Sequence, residues 1–141
     1  MIQLCSNPDW LFSEEAFSIY AVCMYQPTFE AYKKRMKSYA SSPFMRIYVN
    51  VTDHQITGIL VIDRSKQIPE IVGIAVAEQK HGIGKNLILE AMRLERLDRI
   101  FAQTDEDAVG FYRKCGFSAE RIVKAYPDGV AVRYQCFLSN Q

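Results

Sequence analysis

The sequence predicts an α+β domain: a mixed, mostly antiparallel central sheet flanked by helices, with one central β-α-β crossover. Three observations lead there. Apolar residues recur at helical spacing through the first forty positions, alternate with period two from Met45, and run unbroken from Ile71 to Val76 before an amphipathic helical stretch. With 141 residues, 49% apolar and 23% charged, the chain has room for one such domain, and residues 1–141 read as that single domain.

The elements follow in order. Ile2 to Cys5 reads as a short strand. Ser13 is placed to N-cap a helix that begins Glu14-Glu15 and runs through Cys23. Pro27-Thr28 interrupts the chain, and Thr28 can cap a second helix with Phe29, Tyr32, Met36 and Tyr39 at helical spacing. Its Lys33-Lys34-Arg35 cluster reads as a solvated face, and Ser41-Ser42-Pro43 ends it.

M-R-I-Y-V-N-V-T and I-T-G-I-L-V-I-D, joined by a polar D-H-Q turn, read as an antiparallel hairpin. Glu70 to Val76, E-I-V-G-I-A-V, is expected at the centre of the sheet. From Gly82 to about Leu97 the residues Ile83, Leu87, Ala91 and Leu94 share one helical face. R-I-F-A-Q-T then predicts a strand and T-D-E-D-A-V-G-F-Y-R-K-C-G-F a short helix. In that helix Thr104 and Asp107 have capping-box spacing and Gly116 lies where a C-terminal glycine belongs. F-S-A-E-R-I-V and A-V-R-Y-Q-C-F-L around P-D-G close the chain as a hairpin, whose edge either meets another subunit in a homodimer or simply completes the sheet.

Composition narrows the function classes. A net charge of +1 provides no general field for nucleic acid, and no apolar run reaches membrane-spanning length. The N-terminal residues have neither a basic start nor a long apolar stretch, which predicts a cytoplasmic protein. Cys5, Cys23, Cys115 and Cys136 lack metal-ligand spacing, so no metal is expected and the thiols read as reduced, mostly core residues.

Chemistry concentrates at A-E-Q-K-H-G-I-G-K-N-L-I, Ala77 to Ile88. Glycines at a strand-to-helix boundary let an anion approach unpaired amides at the helix N-terminus, although a tight turn without a ligand also fits. A P-loop needs glycine at Gln79 and Ser or Thr at Asn86, and a dinucleotide fingerprint needs a small residue at Leu87. Both patterns fail, and the dinucleotide reading is further opposed by the antiparallel elements that precede the turn.

Gln79-Lys80-His81-Gly82-Ile83-Gly84 meets [Q/R]-x-x-G-x-[G/A], and A-V-G-F-Y-R-K-C-G-F, Ala108 to Phe117, follows after a strand. Together these motifs resemble the GNAT N-acetyltransferase superfamily over about Met45 to Phe117. The resemblance implies that main-chain amides of Gln79, Lys80, His81, Gly82, Ile83, Gly84 and Lys85 cradle the pyrophosphate of acetyl-CoA. It implies that the pantetheine arm runs beside Ile74, Ala75 and Val76, with Phe111 and Tyr112 near the coenzyme. Asp105 stands where the family often has asparagine, and an ionised carboxylate cannot donate the corresponding hydrogen bond.

The activity implied is transfer of an acetyl group from acetyl-CoA to a primary amine of a small molecule, peptide or protein, by direct attack in a ternary complex. Glu70, opening an apolar strand, is the candidate base, and Tyr112 the candidate acid for the departing thiolate. A solvated strand-end acid and a buried aromatic are the plainer readings of the same two residues. The competing function is a non-catalytic acyl-CoA-binding or sensing domain, which needs the glycine turn but no base or acid.

Overall fold

The computed structural model describes residues 1–78 and 82–139. Seven strands form one sheet: β1 (Ile2–Leu4), β2 (Met45–Thr52), β3 (Gln55–Asp63), β4 (Glu70–Val76), β5 (Arg99–Thr104), β6 (Ser118–Tyr126) and β7 (Gly129–Ser139). Their spatial order is β1-β2-β3-β4-β5-β7-β6, and every neighbouring pair is antiparallel except β4 with β5. The α+β fold with its central crossover is as the sequence predicts.

Local chemistry explains most element boundaries. Helix α1 (Glu14–Tyr20) starts where the Ser13 hydroxyl accepts from the Ala16 amide, and α2 (Phe29–Ser41) where the Thr28 hydroxyl accepts from Ala31. α1 is shorter than expected, because Ala21–Cys23 tightens into a 3-10 turn. Between β2 and β3, Asp53 and His54 both adopt positive φ, as a two-residue hairpin turn matched to strand twist requires. Lys33, in the basic cluster of α2, pairs with Glu30 and lies over the Phe29 ring.

The core has two layers. On one face, α1 and α2 cover β2, β3 and β4 through Ala16, Tyr20, Tyr32, Met36, Ile59 and Val61. On the other, α3 (Ile83–Glu95) and α4 (Val109–Lys114) cover the sheet through Leu87, Ile88, Ala91, Val109 and Tyr112. The far end of α3 is pinned to the sheet by Glu95, whose carboxylate accepts from Arg64 at 2.8 Å and from the Tyr48 hydroxyl at 2.5 Å. That anchor fixes the direction in which the opposite end of α3, behind Gly82, points.

The expected Thr104–Asp107 capping box is absent. Thr104 is the buried last residue of β5, and the helix proper begins only at Val109. The cap comes instead from Asp105, whose Oδ1 accepts from the Ala108 amide at 3.0 Å. Gly116 does terminate the element with φ of 96°.

Candidate functional site

The site is a fork in the sheet. β4 and β5 pair at only two positions, Glu70 with Phe101 and Ile71 with Ala102, and then diverge, while β5 remains paired to β7 through Thr104. The β3–β4 register slips between Val61 and Ile62, which face Gly73 and Ile71, so Val72 is the extra residue of a bulge. Val72 packs toward α1 and α2, whereas Ile71, Ile74 and Val76 pack on the other core. Beyond Ile71, the β4 edge facing β5 has no strand partner among the described residues.

The two glycines of the turn serve different purposes. Gly82 is the N-cap of α3 with φ of 67°, and a Cβ there would meet nothing within 4 Å. Its requirement is conformational, since side-chain-bearing residues rarely adopt this region. Gly84 is buried under the Phe111 ring, whose Cε1 would lie 2.9 Å from an added Cβ. Its requirement is close packing of α3 against α4.

Gly82 offers no side-chain cap, and the helical ladder starts with the Asn86 amide donating to the Gly82 carbonyl at 3.0 Å. The amides of Ile83, Gly84 and Lys85 therefore precede that ladder at the positive end of a 13-residue helix. This arrangement suits a phosphate. Gln79, Lys80 and His81, expected to continue the cradle, lie outside the described residues.

Glu70 opens β4 with its side chain 16% exposed, and its carboxylate is ion-paired with Lys66 from the preceding loop. Tyr112 is buried, held edge-on between Phe111 and Phe117 at centroid distances of 5.1 and 5.2 Å. Desolvation above all, then the neighbouring thiols of Cys136, Cys23 and Cys115, raises its pKa well beyond the usual phenol range. The hydroxyl forms no hydrogen bond among the described residues.

Ile74, Ala75 and Val76 form the end of β4 along the fork. Asp105 spends its carboxylate on the α4 cap. Tyr32 is fully buried and donates its hydroxyl to the Leu11 carbonyl at 2.5 Å. It belongs to the core.

Three neighbours of the fork escape sequence reasoning. Tyr20 is fully buried, with its hydroxyl against Gly73 and beside the side chains of Tyr39 and Cys23. Cys23, read from sequence with the core thiols, is exposed. Lys66 sits four residues before Glu70 in a loop, and only its polarity and that spacing are visible in sequence. No local signal marks Tyr20 or Cys23, because the 3-10 turn and the β4 bulge bring them to the fork from distant positions.

Comparison with known proteins follows the same lines. Residues 43–119 match the family profile described as acetyltransferase (GNAT) domain. An acetyltransferase from Bacillus subtilis in complex with CoA superposes with a TM-score of 0.71 at 21% identity, over 99% of this chain and 98% of that one. A putative streptothricin acetyltransferase from Bacillus anthracis in complex with acetyl coenzyme A gives 0.58 at 25% identity, over 74% and 68%. A variant spermidine N-acetyltransferase from Vibrio cholerae gives 0.71 at 14% identity, over 99% and 92%. With more than half of its residues matched by the family profile and the fold shared across nearly its whole length, the chain belongs to the GNAT acetyltransferase family.

Proposed function

We propose that this protein transfers an acetyl group from acetyl-CoA to a primary amine by direct attack in a ternary complex. The observation that carries the reading is the uncapped, left-handed Gly82 start of α3 beside the open edge of β4. CoA or acetyl-CoA in the two Bacillus structures supports the choice of donor, and the Vibrio cholerae spermidine enzyme supports an amine as acceptor class.

When bound, the thioester supplies an electrophilic carbonyl, and each remaining demand falls to a residue of this chain. The amides of Ile83, Gly84 and Lys85, with those of Gln79 to Gly82, hold the pyrophosphate. The free edge of β4 from Ile74 to Val76 aligns the pantetheine arm as an added strand would be aligned. Glu70 accepts the ammonium proton, directly or through water, so that the amine attacks in its neutral form. The Ile74 amide donates to the developing oxyanion. Tyr112 protonates the departing thiolate.

A panel of amines, with thiol release from acetyl-CoA as readout, tests the reading. Turnover on any primary amine with no release in its absence is the expected result. Coenzyme binding without turnover on any amine would instead favour an acyl-CoA sensor, a reading for which the Lys66 contact on Glu70 speaks.

A further inference from the structure

We propose that Arg133 selects the acceptor: the favoured amine carries a carboxylate on the same small molecule, and Arg133 holds that group at the mouth of the fork. The inference deepens the acetyl-transfer reading and rests on it.

Register fixes where Arg133 stands. Tyr134 pairs with Thr104, the last residue of β5, so Arg133 lies one residue beyond the end of that strand, at a level where β4 and β5 have already parted. Tyr134, Cys136 and Leu138 pack into the core under α3 and α4, and alternation turns Arg133, Gln135 and Phe137 to the opposite face. Phe137 meets the Phe101 ring there, with centroids 5.1 Å apart. Glu70 is turned to the same face, because its neighbour Ile71 packs into the core under α3 and α4. The core under α1 and α2 draws no residue from β5, β6 or β7, so this face of those strands is not packed beneath either helix. With α3 and α4 closing the other side, an acceptor reaches the fork from the side on which Arg133 lies.

The arginine is unmatched. Its side chain is half-buried, its Nε is completely sequestered, and that N–H has no hydrogen-bond partner among the described residues. No carboxylate among the described residues is ion-paired with the guanidinium, although Glu120 stands diagonally across from it, opposite Gln135. Burying part of a guanidinium without an acceptor is costly. A carboxylate delivered here meets Nε and an Nη together, in the forked geometry that arginine offers and lysine does not.

The surroundings favour the same ligand. Lys124 shares this face, its Nζ held on the Gln103 side-chain oxygen at 3.1 Å. The mouth therefore carries two cations against the exposed Glu120, which attracts an amine bearing a negative group and opposes one bearing further positive charge. From the β4 edge to β7 is at least two strand spacings, about 10 Å, and the arginine side chain spans part of it. A short aliphatic spacer thus suffices to join the two groups of the acceptor.

The test compares kcat/KM for 6-aminohexanoate against hexylamine and for 4-aminobutyrate against butylamine, by thiol release from acetyl-CoA at fixed ionic strength. Expected is a preference for the carboxylated amine of at least about tenfold in one pair or both, expressed in KM more than in kcat. Arg133→Gln should bring each pair within about twofold, and Arg133→Lys should restore part of the preference. Calorimetric titration with CoA checks that both variants are folded. Equal kcat/KM within both pairs for the wild type, or a preference that survives Arg133→Gln, would overturn this inference and leave acetyl transfer standing. No turnover on any amine by protein that binds CoA would remove the acetyl-transfer reading, and this inference with it.

Discussion

The Tyr20 hydroxyl rests so close to Gly73 that a Cβ added there would stand 1.7 Å from its oxygen. Both groups are buried, so neither can move aside without opening the packing of α1 on β4. Gly73→Ala is therefore expected to cost about 2–3 kcal/mol by overpacking, read from urea unfolding. Tyr20→Phe alone removes a buried hydroxyl beside Tyr39 and should cost about 1 kcal/mol. The double variant should recover part of the Gly73→Ala loss. Strict additivity of the two changes would contradict the contact.

Gly82 separates conformation from space. Gly82→Val forces a β-branched residue into a left-handed backbone, at a cost of about 1–2 kcal/mol, and should weaken coenzyme binding at least about tenfold. Gly82→Asn tolerates that backbone and has open space for its side chain, so its affinity should stay within a few-fold of wild type. Calorimetric titration with CoA checks both, and unchanged binding by a folded Gly82→Val protein would remove the α3 cradle from the site.

The cap at Asp105 gives a stability prediction with a built-in control. Asp105→Ala should cost about 1 kcal/mol through loss of the Ala108 hydrogen bond, and Asp105→Asn should retain most of it. Asp107→Ala, at the position that sequence spacing suggested, should be near neutral. Thermal unfolding of the three variants distinguishes the caps.

Buried phenols set an alkaline limit. Tyr20 and Tyr112 have pKa values raised chiefly by desolvation, from an ordinary value of 10.0. Below pH 10 both are protonated in either state and stability is unaffected by them. Above it the unfolded chain releases protons that the native state retains, so stability falls by up to about 1.4 kcal/mol per pH unit for each phenol. Urea midpoints should begin to fall near pH 9, where burial also holds the four cysteine thiols protonated, and fall more steeply above pH 10; equal midpoints at pH 8 and 11 would show that neither phenol is held protonated by folding.

Tyr112→Phe tests the proposed acid with little change of volume. CoA affinity should persist while turnover falls about 100-fold, the usual scale of general acid–base assistance. Wild-type turnover would reduce Tyr112 to an aromatic packed between Phe111 and Phe117.

What sequence made legible was what short-range chemistry decides. Ser13 and Thr28 cap their helices as read, because an N-cap concerns a side chain and an amide three residues away. The same rule misassigned the α4 cap, since Thr104, Asp105 and Asp107 compete within one turn and sheet burial removes Thr104. The glycine pair was legible as a turn, but the separate reasons for Gly82 and Gly84 were not, because one depends on φ and the other on a ring from α4. Tyr20, Cys23 and the Lys66 grip on Glu70 were hidden because tertiary packing sets their meaning.

Glu70–Phe101 and Ile71–Ala102 are also the only strand pairings described between β1-β2-β3-β4 and β5-β7-β6. The remaining union is apolar and one-sided: the core under α3 and α4 draws residues from both groups of strands, while the core under α1 and α2 draws only on β2, β3 and β4. The sheet is thus two plates joined along one edge and glued on one face, and a chain-like molecule laid between them becomes part of the frame. Its departure would loosen the seam before either plate.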